Sequence, residues 1–508
     1  MHPALLCSLA AVTTLGLLAP ISHAADEPAL TSPLPTSTVD RTQSSIQRCV
    51  EFLLSVQEGD DQAEWPYEGV YRVRGKIPIG YRIGGTSIAA TALIRAPGYA
   101  DDAPRQAAIG RAAKFVMAAL DEPLMNPEYE GGYDVRGWGY TYALHFLLAL
   151  KGDAVTASLP ADVAGRVDER INWCIDAIQR TEIPEAGGWN YARPRGKGMV
   201  APSSPFMTGP TLQGLFAARQ LGFKVDDAVV ERGLKSLERG RAPSGAVAYA
   251  GEPGKRADGI PGAVGRMLTT EITLLLAGGE RTDLSRVRGA LDSFLVHWEW
   301  LDQRRAKPGT HEGPYGVAPY YFYYAHAQAA EAIELLPKAE RAEYRRRLHE
   351  RLFSVQLENG VWNDRVFERT ANYGTSQALM CLLGPDRPAL ARWEMAKLLT
   401  GGATHLKPRR ECSLLHDLQQ PCNRDAASII QARMHAARYI AAARPPRLPK
   451  PPCIRSDLEP WLTPRPSSGS GSRPGCSLPT LSTGCVAFCM DSIPARRARG
   501  INCTSPST

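Results

Sequence analysis

The sequence predicts an all-α chain closed as an (α/α)6 toroid, six antiparallel helix pairs arranged in two concentric rings. Three observations predict it. Six junctions rich in glycine and aromatics recur near Thr86, Tyr140, Thr208, Thr269, Tyr323 and Thr375, at steps of 54, 68, 61, 54 and 52 residues. A recurrence at that interval marks a repeat architecture in which no single unit buries its own apolar face. Each junction joins an amphipathic helix to a second helix that is almost wholly apolar, so one ring borders solvent and the other is enclosed. The ends carry no polar capping repeats, which an open solenoid needs, and six pairs close a ring of this type.

The elements follow in order. Residues 1–24 read as a secretory signal: an apolar run from Ala4 to Leu18, then Pro20 and an Ser22-His23-Ala24 cleavage site before Ala25. A run of about 15 residues, interrupted by Thr13, Thr14 and Gly16, is too short to span a bilayer. The expected location is therefore exported, periplasmic or extracellular, with no membrane span in the mature chain. Residues 25–41, with their Pro, Ser and Thr, read as a linker, and the toroid is expected over 42–399.

Outer helices are expected at about 42–57, 105–120, 165–180, 226–240, 284–302 and 338–356. The third places Val167, Ile171, Cys174, Ile175 and Ile178 on one face with Asp168, Arg170 and Asp176 off it. The sixth sets Tyr344, Leu348, Leu352 and Val355 against Arg345, Arg346, Arg347, Glu350 and Arg351. One apolar stripe opposite one charged face means a helix with water on one side. The inner helices differ: Ile272 to Ala277, Tyr142 to Leu150 and Ala378 to Leu383 are apolar all round. Beyond Leu399 the pattern collapses. The stretch 400–508 is rich in Pro, Arg, Ser and Cys and has too little apolar surface to offset the entropy of ordering, so it reads as a disordered tail or as the product of a shifted reading frame.

The formal net charge of +7 owes much to arginines near the C-terminus. No basic stripe interleaved with aromatics crosses the repeats, so nucleic acid is not an expected partner. Only Cys49, Cys174 and Cys381 lie in the repeats, and each reads as a buried, inert thiol. No cofactor fingerprint and no metal-ligand spacing stands out; His311-Glu312 does not extend to His-Glu-x-x-His.

Three junctions share a further detail. Residues 52–65 read FLLSVQEGDDQAEW, 177–189 AIQRTEIPEAGGW and 353–362 FSVQLENGVW, each with a Gln at the end of the outer helix and a Trp six to ten residues on. This resembles the Gln–Trp repeat of the terpene cyclase and protein prenyltransferase superfamily, and the segments Ala63 to Tyr71 and Tyr81 to Ser87 look most like its exported, squalene cyclase-type repeat members. The resemblance covers about residues 42–385. It implies an (α/α)6 toroid in which the Gln caps the helix end beside the Trp and ties adjacent pairs together. The family's chemical signatures are missing here. The sequence has no Asp-x-Asp-Asp, no Asp-Asp-x-x-Asp and no Cys-Gly-Glu-Gln, and no Asp-x-Cys occurs in the repeats. The pairs Asp60-Asp61, Asp101-Asp102 and Asp226-Asp227 fall in polar loops or at helix starts, where acidic residues are favoured anyway.

A toroid leaves a funnel on its axis, so polar and aromatic residues of the inner helices are the candidates for a cavity: His145, Glu271, His326, Tyr140, Tyr324 and Trp138. If His145, Glu271 and His326 share one cavity, a carboxylate beside imidazoles can act as acid and base. The loops add a candidate rim of Tyr71, Arg72, Tyr81, Arg82, Asp134, Arg136, His311 and Glu312, with Tyr67 and Glu68 beside them. Aromatics with Arg and Glu suit stacking and bidentate hydrogen bonding to a polyhydroxylated ligand. Two functions stay open: an exported protein that binds a ligand or partner through its toroid, or an enzyme on the same fold, terpenoid cyclase-like or a carbohydrate-active hydrolase or lyase.

Overall fold

The computed structural model describes residues 38–129, 134–191, 202–253 and 259–393. The expected signal segment 1–24, most of the linker and the tail 400–508 lie outside the described residues. Twelve helices of thirteen residues or more occur among them: α1 (Thr38–Ser55), α2 (Ile79–Arg95), α3 (Ala103–Ala119), α4 (Arg136–Ala149), α5 (Val167–Arg180), α6 (Pro205–Gln220), α7 (Asp227–Arg239), α8 (Ile260–Ala277), α9 (Leu284–Val296), α10 (Phe322–Leu335), α11 (Lys338–Phe353) and α12 (Ala371–Leu383). Strand pairing among the described residues is limited to isolated bridges in the loops.

The even-numbered helices form the inner ring. Each packs on the next even-numbered helix, and α12 packs on α2. The odd-numbered helices lie outside, each against the preceding inner helix, with α1 against α12. The chain is an all-α toroid. The sequence pattern explains the layering. Outer α5 buries Val167, Ile171, Cys174, Ile175 and Ile178 and leaves Asp168 and Glu169 in water. Inner α8 is buried without a break from Pro261 to Leu274. Cys49, Cys174 and Cys381 are free and buried, and burial pushes each thiol pKa up.

Two inner helices start earlier than the glycines of the sequence suggest. α2 begins at Ile79 and carries Gly84 and Gly85 inside it. A Cβ at Gly84 would meet the Trp138 ring at 2.3 Å, and one at Gly85 would meet the Tyr67 amide nitrogen at 2.4 Å. These glycines permit close packing and do not break the helix. α8 begins at Ile260, with Pro261 in its first turn and Gly262 pressed on the Tyr315 carbonyl.

The three Gln–Trp units share one hydrogen-bond pattern. The indole Nε1–H of Trp65, Trp189 and Trp362 donates to the carbonyl of Leu53 (2.6 Å), Ile178 (2.7 Å) and Leu352 (3.0 Å), near the C-terminus of α1, α5 and α11. The backbone N–H of each Trp donates to a threonine hydroxyl in the following inner helix: Thr86 (2.9 Å), Thr208 (3.0 Å) and Thr375 (3.2 Å). Each bond satisfies a buried group whose neglect would cost about 1–3 kcal/mol. The glutamines reach to neighbouring units and do not cap their own helices, which corrects the capping role the resemblance implied. Gln57 donates to the Ala108 carbonyl in α3 at 3.0 Å, and Gln179 accepts the Asp226 N–H ahead of α7 at 2.8 Å. Gln356 donates to Ser45 in α1 at 3.3 Å and accepts from Arg41 at 3.2 Å. That last pair closes the ring, with Asn372 donating to the Pro66 carbonyl at 3.0 Å and Arg369 bridging Glu58 and Glu68, each at 2.9 Å. Asp102 and Asp226 act as N-caps of α3 and α7, each accepting a backbone N–H two or three residues on.

Candidate functional site

All six inner helices follow loops that end on the same side of the ring, so their first turns converge there. Tyr81, Trp138, Phe206 and Tyr373 come from first turns, Tyr320 from the 3-10 turn just ahead of α10, and Tyr67, Tyr71, Tyr191 and Tyr249 from the loops. These nine aromatic side chains line one pocket of about 50 Å³. Tyr67 packs edge-on against Tyr81 (5.0 Å between ring centroids) and Tyr373 (4.9 Å), with Trp138 at 5.5 Å. Tyr71 and Tyr249 stand at the opening, 40% and 37% exposed. His311 joins this rim: its Nδ1–H donates to the Gly316 carbonyl at 3.1 Å, leaving Nε2 to accept the Tyr320 hydroxyl at 2.8 Å. Burial raises the hydroxyl pKa of Tyr67, Tyr71, Tyr320 and Tyr373, so each remains a protonated donor.

A second cavity, of about 90 Å³, lies further along the inner helices and includes Tyr142, His145, Tyr324 and Glu331. An aromatic layer separates the two: Tyr142 packs on Trp138 at 5.0 Å, and Tyr324 lies against Phe206 at 4.0 Å. The His145 Nε2–H donates to the Pro210 carbonyl at 2.8 Å, and burial lowers its pKa.

The residues predicted from sequence divide between axis and walls. Of the candidate cavity set, His145 and Tyr324 line the second cavity and Trp138 the aromatic pocket. Glu271, His326 and Tyr140 are turned between the rings, which corrects the expectation of one shared cavity. The Glu271 carboxylate accepts from Arg241 at 2.7 Å and from the Thr282 hydroxyl. His326 donates from Nδ1 to the Phe322 carbonyl at 2.7 Å and accepts the Trp298 indole N–H at 2.9 Å; burial lowers its pKa to about 4. Tyr140 donates to the Met125 carbonyl and packs on Trp173.

Of the candidate rim, Tyr71 and Tyr81 line the aromatic pocket. The charged members serve as ties between loops. Arg72 pairs with Glu68 at 2.6 Å, and Glu312 with Arg304 at 2.8 Å. Arg82 holds Glu64 with two bonds, 2.7 and 2.6 Å, on the outer side. Asp134 and Arg136 form a buried pair, and Arg136 also holds the carbonyls of Asn126 (2.8 Å) and Tyr129 (2.6 Å).

Sequence reasoning missed Asp364, two residues after the Trp of the third Gln–Trp unit. It is fully buried, and neither carboxylate oxygen has a well-formed hydrogen bond, although the backbone N–H groups of Tyr323 and Asp364 lie near enough to favour its charged form. Burial raises its pKa to about 7, and Arg365 offsets this only in part. It is near enough to Tyr67, Tyr323 and Tyr373 to raise their hydroxyl pKa values, so it stands behind the wall of the aromatic pocket. Tyr373 and Phe206 were also passed over, although an aromatic in the first turn of an inner helix was the available signal. Among the described residues no cluster of three His, Cys, Asp or Glu is placed to hold a metal ion, and no helix is long and apolar enough to cross a membrane.

No family model matches the chain, and no curated protein matches it. Solved structures similar to it include the type II terpene cyclase MstE from Scytonema, at 15% identity and TM-score 0.42, covering 69% of this chain and 100% of that one. The unsaturated glucuronyl hydrolase from Bacillus sp. GL1 is 13% identical at TM-score 0.47, covering 69% and 98%. An inactive variant of the α-1,6-mannanase GH76A of Salegentibacter sp. HEL1_6, in complex with α-1,6-mannotetrose, is 12% identical at TM-score 0.43, covering 67% and 99%. At these identities and TM-scores the likeness carries no activity with it.

Proposed function

We propose that this chain is an exported binding protein that holds a carbohydrate at the aromatic pocket. The observation that carries this reading is the convergence of nine aromatic side chains at one end of the ring, seven of them tyrosines. Ring faces stack on the apolar faces of a sugar, while protonated phenols supply hydrogen bonds to its hydroxyls and His311 holds Tyr320 in place. A pocket of about 50 Å³ with Tyr71 and Tyr249 at its opening takes one sugar residue in part, so the ligand is a chain end. The apolar run Ala4–Leu18 and the Ser22-His23-Ala24 site support export, where polysaccharides are met. Calorimetric titration with a panel of oligosaccharides tests it. Saturable binding is expected, weakened about 2–10-fold by Tyr81→Ala or Tyr249→Ala, the value of one aromatic contact. Binding that neither substitution changes overturns the reading.

One observation favours a second reading, an enzyme on the same pocket. Asp364, whose pKa is raised to about 7 so that a large share stays protonated near neutral pH, is a candidate proton donor close enough to Tyr67 and Tyr373 to raise their pKa values. If a bound oligosaccharide is turned over, Asp364→Asn is expected to abolish turnover while leaving binding intact. Turnover that survives the substitution removes Asp364 from the chemistry.

A further inference from the structure

The second cavity differs in character from the aromatic pocket, and its unmet hydrogen-bonding capacity defines a ligand. Arg95, at the last position of α2, lines it, and among the described residues no carboxylate comes within ion-pairing distance of its guanidinium. Arg387 enters from the segment after α12 and pairs through Nη2 with the Glu331 carboxylate at 2.5 Å. Its Nη1 is buried and has no partner. The Gln328 Nε2–H donates to the other Glu331 oxygen at 2.9 Å. That bond fixes the orientation of the amide, so the carbonyl oxygen is the end left over; it is buried and accepts nothing. Gln328 is 6% exposed, and the Arg387 side chain 7%.

Two arginines against one glutamate leave the cavity one positive charge in excess. Burial, and after it the neighbouring Arg387, lower the Arg95 pKa to about 10, and Glu331, already held by Arg387, offsets this only in part. A guanidinium fork matches a carboxylate, and a buried carbonyl calls for a donor such as a hydroxyl. At about 15 Å³ for each water-sized group, a cavity of about 90 Å³ holds roughly six such groups.

We infer that the second cavity is a binding site for a small hydroxy-carboxylate, its carboxylate on Arg95 and Arg387 Nη1 and its hydroxyl donating to Gln328. The site is separate from the carbohydrate reading above and stands if that reading fails.

Thermal melts of the purified full chain test it, with sodium glycolate, sodium acetate and sodium chloride at one ionic strength. Glycolate is expected to raise Tm saturably, by about 4 °C at a hundredfold excess over its Kd, with acetate weaker and chloride without effect. In Arg95→Gln the response to glycolate disappears, and Tm without ligand stays level or rises, because a partly buried cation without an ion pair has been removed. Gln328→Leu, which deletes an unsatisfied acceptor, keeps the response to acetate and loses the preference for glycolate. An equal response to chloride, a response retained in Arg95→Gln, a fall in that variant's own Tm, or a glycolate preference surviving Gln328→Leu overturns the assignment.

Discussion

Replacing Asp364 by Asn gives the most direct test of the electrostatics at the ring axis. The carboxyl is fully buried, and burial raises its pKa from the ordinary 3.8 to about 7. An acid with a raised pKa in the folded state contributes most below its unfolded pKa, where both states are protonated. As pH rises from about 4 to about 7 the unfolded chain ionises first, so the folded state loses stability through that window. Each tenfold in proton affinity is worth about 1.4 kcal/mol, so the loss comes to about 4 kcal/mol at most. Asparagine has a similar shape and no titration. The stability of Asp364→Asn relative to the natural chain should therefore be constant below pH 4, climb by up to about 4 kcal/mol between pH 4 and 7, and level off above. Denaturant melts of both proteins at five pH values between 3.5 and 8.5 measure it. Any cost of the Asn amide itself does not vary with pH, and the buried histidines titrate alike in both proteins and cancel. A flat difference across the window would mean that Asp364 ionises normally in the folded protein, and the proton-donor reading would go with it.

Other substitutions have equally definite outcomes. Glu271→Gln breaks the buried pair with Arg241 and is expected to destabilise the fold by about 3 kcal/mol in denaturant melts while leaving binding at the aromatic pocket unchanged. Gln356→Ala removes the bonds to Ser45 and Arg41 across the ring closure; a cost of about 1–3 kcal/mol is expected, with faster amide hydrogen exchange concentrated in α1. Burial lowers the His349 pKa to about 4, so its contribution is complete above about pH 6.5 and is lost as pH falls towards 4. His349→Leu should remove up to about 3 kcal/mol of that acid-side loss, read as a flatter stability profile between pH 6.5 and 4.

The layering of the toroid was legible because an outer helix such as α5 advertises its buried stripe against its own charged face. The same logic fails on the inner helices. α8 is buried on every side, so nothing in its pattern tells which positions face the axis and which face the outer ring. Glu271, His326 and Tyr140 were placed on the axis for that reason, yet their partners Arg241, Trp298 and Met125 belong to the loops and outer elements. Trp138 and Tyr81 were readable as pocket residues because they sit where the helix begins, at the converging end. Asp364 was not. In Asn363-Asp364-Arg365 it has the composition of a solvated turn, and only the close packing of that loop on Tyr323 and Tyr373 deprives it of water. Arg95 and Arg387 were passed over for a similar reason: arginine at or just past a helix C-terminus is ordinarily explained by the helix dipole.

The closure of the ring by Gln356, Arg41 and Asn372 has a consequence for how the chain is made. Neighbouring units elsewhere join residues about 50 to 70 positions apart, but Arg41 to Gln356 spans 315 positions and Pro66 to Asn372 spans 306. Loop-closure entropy grows only logarithmically, so a joint over 311 residues costs about 1.6 kcal/mol more than one over 52. The seam is thus a small thermodynamic burden and a large temporal one. During synthesis each new unit can dock on its predecessor at once, whereas α1 and the flank of α2 wait for α12, the last inner helix to emerge. A nascent or truncated chain ending before Ala371 would be an open arc with an apolar helix flank at each end. Such an arc offers two sticky edges to its neighbours, so truncation near residue 370 should yield aggregation-prone chains where a solenoid would merely be shorter.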